Sequence, residues 1–175
     1  RQYLFLNVVI DKFVQSFKFA TESKEPNYDK VIKTMFEKFE FFEKLTKRIA
    51  DDCNELLNHK ELFTHITENI NWRAIEGKKR FALSLVEYLR ATELAILAYG
   101  AHNRGDNYKA ISYFNEAAKL ALNITEILKP LATANEEIAN IANQSYEYNL
   151  FLKELERNVR ENVKLKEFPF TKVLE

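Results

Sequence analysis

Three histidines, His59, His65 and His102, and the carboxylates near them are where this chain would begin any chemistry. Glu55 and Glu61 each stand four residues before the first two histidines, a spacing that puts each Glu–His pair on one helix face. A di-iron carboxylate bundle needs two inward-facing Glu-x-x-His motifs, and a zincin needs His-Glu-x-x-His; neither spacing occurs. Surface pairs worth tenths of a kcal/mol account for these residues. No nucleophile stands beside a recognisable base. With only three glycines the chain can hardly build a P-loop or a G-x-G-x-x-G turn. The single Cys53 excludes an internal disulfide framework and a multi-thiolate zinc site. Its place on an apolar helical face reads as a buried, inert thiol. No catalytic, cofactor-binding or metal site is assigned, no cofactor is expected, and the chain is not expected to be an enzyme.

Other short motifs have plain structural readings. Arg104-Gly105-Asp106 spells an integrin-binding tripeptide, but its role as a turn followed by a helix cap explains it. Asn123-Ile-Thr and Asn143-Gln-Ser are glycosylation sequons that read as chance spacings on a helix. Lys78, Lys79 and Arg80 form a basic cluster near Trp72, either a solvated face or a dock for an acidic partner or lipid headgroup. Arg157, Arg160, Lys164 and Lys166 alternate with Glu154, Glu156, Glu161 and Glu167 and should pair locally.

The elements that must carry these residues are helices. Only three glycines and three prolines occur, too few for the turns of a sheet, while hydrophobic residues reach 46%. Lys+Arg and Asp+Glu both total 26, so no net charge draws the chain to nucleic acid or anionic lipid, and membrane contact is at most peripheral. No apolar run reaches the roughly 20 residues that span a bilayer. A helix is expected over 2–22, with Leu6, Ile10, Phe13, Val14 and Phe17 on one face, then a break from Ser23 to Tyr28. The next helix, 29–58, has the seam Ile32, Met35, Phe39, Phe42, Leu45, Ile49, Cys53 and Leu56, which Phe36 and Phe41 widen toward more than one neighbour. Residues 59–71 read as a short helix or an irregular connection. Helices follow over 72–102, 107–128 and 133–165, with Gly77 weakening a first turn or marking close packing, Pro130 ending or kinking its helix, and an extended tail around Pro169. The fold class is all-α: an antiparallel bundle or short solenoid of about five long helices. Residues 1–175 form one helical domain or a fragment of a larger one; the chain starts at Arg1 and its only methionine is Met35, which suggests a fragment or a missing start.

Residues 94–122 organise this plan as a helical hairpin. Leu94, Leu97, Ala98 and Ala101 face Ala110, Phe114 and Ala117 across a turn in which Gly105 takes positive φ and Asp106 or Asn107 caps. The Ala-x3-Phe pattern with its turn glycine resembles one tetratricopeptide unit, over 72–128. Trp72-Arg-Ala-Ile-Glu-Gly-Lys-Lys79, a helix bearing Tyr88, and Tyr108-Lys-Ala-Ile111 further resemble the distal half of BRO1 domains, which belong to adaptors of the endosomal sorting (ESCRT) pathway. The family closes with Asn-Asp-x-Ile-Tyr before Val-Pro; here only Asn162 and Pro169 correspond, and the Tyr88 spacing is one residue short. The resemblance implies a curved helical solenoid whose N-terminal half is absent. It also implies a cytoplasmic, endosome-associated adaptor whose groove binds the C-terminal helix of an ESCRT-III subunit.

The functional expectation is a non-enzymatic module that takes a partner's amphipathic helix in a groove between helices. Phe36, Phe41 and Tyr99 lie off the main seams and are the expected exposed partner patch. A structural subunit of a larger assembly, burying its aromatic surplus against other parts, is the alternative.

Overall fold

The computed structural model describes residues 15, 18–19, 28–66, 69–133 and 135–165. Within them the chain is an all-α bundle: α1 (Tyr28–Asn58), α2 (Lys60–Ile66), α3 (Trp72–Asn103), α4 (Asn107–Ala132) and α5 (Glu136–Arg160). The helix expected over 2–22, the break before α1 and the tail around Pro169 fall outside the described residues, apart from Gln15, Lys18, Phe19 and Tyr28. No described helix is long and apolar enough to cross a membrane.

Alanines set the centre of the bundle. Ala91, Ala95, Ala98 and Ala101 of α3 and Ala110, Ala117, Ala118 and Ala121 of α4 are all buried in one cluster. Side chains this small let two helix backbones approach closely, and Phe114 fills the space beside them. The Tyr99 ring meets Phe114 edge-on, with centroids 5.5 Å apart. Leu152, Leu155 and Val159 of α5 close this core, and Asn149 Nδ2 donates to the Ala118 carbonyl so that the buried amide is satisfied. A second cluster joins α1 to α3 through Ile32 and Phe36 against Leu89, Ile96 and Leu97. Leu97 belongs to this second cluster, against which Leu94 of α3 and Tyr113 of α4 also pack.

Each end of the hairpin turn has a chemical cause. Gly105 has φ 81°, its N–H donates to the His102 carbonyl, and the Asp106 N–H reaches back to Ala101. That pair of bonds is a Schellman closure, which requires a left-handed residue. Asp106 then caps α4 by accepting from the Lys109 N–H at 3.2 Å. Asn162 repeats the device at φ 55°, with Asn162 N–H to Val159 and Val163 N–H to Asn158, so α5 stops at Arg160 rather than near residue 165. At its start, Asn135 accepts from the Glu137 and Ile138 N–H groups. Pro130 does not end α4; the helix continues to Ala132. A Cβ placed on Gly77 would meet nothing within 4 Å, so that glycine does not mark close packing.

One carboxylate fastens α1 to the hairpin turn. Asp29, in the first turn of α1, accepts from the Arg104 guanidinium on Oδ1 and from Lys109 Nζ at 3.0 Å on Oδ2. Arg104 of the Arg-Gly-Asp triplet is thereby an internal tie.

Candidate functional site

The residues with chemical potential lie apart. His59 is exposed in the turn between α1 and α2, His65 is exposed on α2, and His102 Nδ1 sits 3.0 Å from Asn107 Oδ1 across the hairpin turn. Among the described residues no three His, Cys, Asp or Glu side chains gather around a common point. Cys53 is a free, buried thiol on the α1 side that faces α3. The sequon residues Asn123 and Asn143 are exposed, whereas Thr125 donates to the Ala142 carbonyl at 3.2 Å and Ser145 to Ile141 at 2.8 Å.

Two polar clusters are buried between helices. On the α1–α3 seam Glu93 hydrogen-bonds to Glu43; burial, reinforced by the Glu43 charge, pushes the Glu93 carboxyl up to about 8. Arg90 lies 3.6 Å from Glu43 and partly offsets that shift. Between α3 and α5, the Tyr88 and Tyr148 rings lie with centroids 6.0 Å apart. Burial pushes the Tyr88 phenol up to about 12 and raises Tyr148 further, so both stay neutral.

The surface that stands out is the outward side of α1. At 3.6 residues per turn the helix divides into three sectors. Ile32, Phe36, Ala50 and Cys53 are buried against the bundle. Lys33, Glu37, Glu40, Lys44, Lys47, Asp51 and Glu55 fill a charged arc of about 80°. Between these, Phe41, Leu45, Ile49 and Leu56 fall within another arc of about 80° and are exposed, Phe41 by 64%. The short helix α2 buries none of its residues and adds Leu62 and Ile66 to the exposed apolar surface. Lys60 stands over the Trp72 ring at 5.8 Å, linking α2 to the start of α3.

The expected partner patch is only partly present. Phe41 is exposed as expected, but Phe36 is 7% exposed and Tyr99 5%, both in the core. Phe36 falls on the sector that meets Leu89 and Ile96, and Tyr99 packs on Phe114, so neither can form a surface. Conversely Leu45, Ile49 and Leu56, read from spacing as core seam, are surface residues. The signal for them was the width of the apolar arc of α1, which exceeds what one neighbour covers. Of the basic cluster, Lys78 is exposed, but Lys79 Nζ donates to Asn54 Oδ1 at 2.9 Å and Arg80 binds Glu76 and the Ile127 carbonyl. The three cations do not form one open patch, because two of them join α3 to α1 and α4. Comparison with protein-family models, curated proteins and solved structures finds no match to this chain.

Proposed function

We propose that this protein is a non-enzymatic helical interaction module whose working surface is the outward face of α1, extended by α2, where an amphipathic helix of a protein partner docks. The observation that carries this reading is the exposed stripe Phe41, Leu45, Ile49 and Leu56 on a helix whose opposite side is anchored in the core. An apolar row at steps of four and seven matches the anchor spacing by which helices recognise each other. Anchorage through Ile32, Phe36 and the Asp29 tie holds the row in a fixed orientation, which lowers the entropy that docking must overcome. On the BRO1 resemblance the docking helix would be the tail of an ESCRT-III subunit and the site of action the endosome. The tetratricopeptide-like hairpin of α3 and α4 supports that finer reading.

Fluorescence anisotropy tests it with two labelled peptides, an ESCRT-III tail helix and an unrelated amphipathic helix. Ile49→Glu and Phe41→Ala should weaken binding roughly tenfold or more while leaving the melting temperature nearly unchanged, because both side chains are exposed. Unchanged binding in both variants would remove α1 as the working surface.

A further inference from the structure

We propose that the Glu43–Glu93 carboxyl pair is a proton-held clasp, whose ionisation releases residues 43–58 of α1 from α3 while the rest of the bundle stays folded. The uneven anchorage of α1 carries this. In its first half, Asp29 takes Arg104 and Lys109, and Ile32 and Phe36 are buried against Leu89, Ile96 and Leu97. From Glu43 onward the described residues buried against the bundle are Ala50 and Cys53, two small side chains that remove little apolar area from water. The large side chains there, Leu45, Ile49 and Leu56, are exposed. The short helix α2 buries none of its residues and so adds no clamp at the far end. Polar contact between this half and α3 comes from the carboxyl pair with Arg90, 3.6 Å from Glu43, and from Lys79 Nζ donating to Asn54 Oδ1 at 2.9 Å.

Two carboxyls in hydrogen-bond contact need a proton between them, because two charged groups would repel across a shielded seam. The Glu43 side chain is 18% exposed, and burial together with Glu43 raises the Glu93 carboxyl to about 8. On α3, Arg90 opposes that rise from one turn away, and Glu87 stands about 120° round the helix from Glu93. On α1, Glu40 and Lys44 pair with each other at the surface, and Lys47 is exposed. Tyr113 of α4 feels the charges of Asp29, Lys109, Arg104 and Asp106, and Tyr148 of α5 those of Tyr88 and Tyr99, rather than the carboxyl pair. Once lifted into water, Glu93 ionises in the ordinary carboxylate range. The open form therefore gains by up to about tenfold for each pH unit between 4.5 and 8, and no further above. Arg90, itself half exposed, moderates that slope.

Hydrogen exchange of the full chain, read by mass spectrometry and corrected at each pH for the intrinsic rate, tests the clasp. Protection of residues 43–58 should fall roughly tenfold or more from about pH 6 to about pH 8, and there stand below that of residues 28–40 and of α4. Glu93→Gln should abolish that fall and Glu43→Gln should lessen it, with circular dichroism melting to check that each variant is folded. Cys53 gives a second readout, because it is buried on the half that lifts. At about pH 8.5 a thiol reagent should label the wild type roughly tenfold or more faster than Glu93→Gln, the single pH keeping the intrinsic thiolate fraction equal. Exchange of residues 43–58 in step with α4, through global unfolding alone, overturns the clasp. So does a fall in protection that Glu93→Gln leaves in place, or equal labelling of Cys53 in the two proteins.

Discussion

Replacing Glu93 by Gln should make the protein more stable at alkaline pH and leave it unchanged in mild acid. Glu93 is held on the α1–α3 seam against Glu43, and burial with that second carboxylate raises its pKa from the usual 4.5 to about 8. Between those values the folded chain keeps a proton that the unfolded chain has lost. Stability is therefore fullest below the unfolded value, falls as pH rises through the window, and the loss is complete above about 8. One pH unit is worth about 1.4 kcal/mol, so the window sets a ceiling of about 5 kcal/mol. Part of that disappears because Arg90 offsets the charge and water can enter the seam once both carboxylates ionise. A gain on the order of 1–3 kcal/mol near pH 8.5 is expected for Glu93→Gln, with little difference near pH 4, below the unfolded value, since the amide still donates to Glu43 and cannot ionise. Urea unfolding followed by circular dichroism across that range measures it. Every group outside the Glu43–Glu93 pair is common to both proteins, so their difference isolates that pair. Parallel stability curves for wild type and variant would refute the reasoning.

Asp29→Ala removes the acceptor shared by Arg104 and Lys109 and leaves a largely buried guanidinium without its carboxylate. It should cost about 1–3 kcal/mol in denaturant unfolding, and hydrogen exchange should quicken in the first turns of α1 before it does in α4. Gly105→Ala places a Cβ at φ 81° with nothing within 4 Å, so backbone strain alone should cost about 1 kcal/mol, read as a drop of a few degrees in melting temperature.

The hairpin was legible in the sequence because its determinants are local. A glycine and an aspartate at adjacent positions dictate a left-handed residue and a cap whatever surrounds them, and both form as expected. The alanine row with Phe114 likewise states how closely two helices approach. The start of α5 and its early stop rest on Asn135 and Asn162, and the latter takes a left-handed φ that asparagine permits but does not announce. The orientation of α1 was not legible. Its apolar residues cover more than half of the helix circumference, and spacing cannot say which part of so wide an arc meets α3. Phe36 and Phe41 are five residues apart and about 140° apart on the wheel, so one neighbour buries one of them and leaves the other exposed. Tyr99 was misplaced for a related reason: a phenol tip tolerates either water or core, and here Phe114 decides. Nor does local sequence place Lys79 and Arg80, whose partners Asn54 and Ile127 lie on other helices.

The most direct measurement is the binding of a labelled amphipathic-helix peptide to the full chain and to its Ile49→Glu variant, alongside the melting temperature of each. If the outward side of α1 is a docking surface, the wild type binds, the single charge abolishes binding and the melting temperature hardly moves. If the variant binds the peptide as the wild type does, or unfolds at a much lower temperature, Ile49 is not part of an exposed docking face and the account of α1 is wrong.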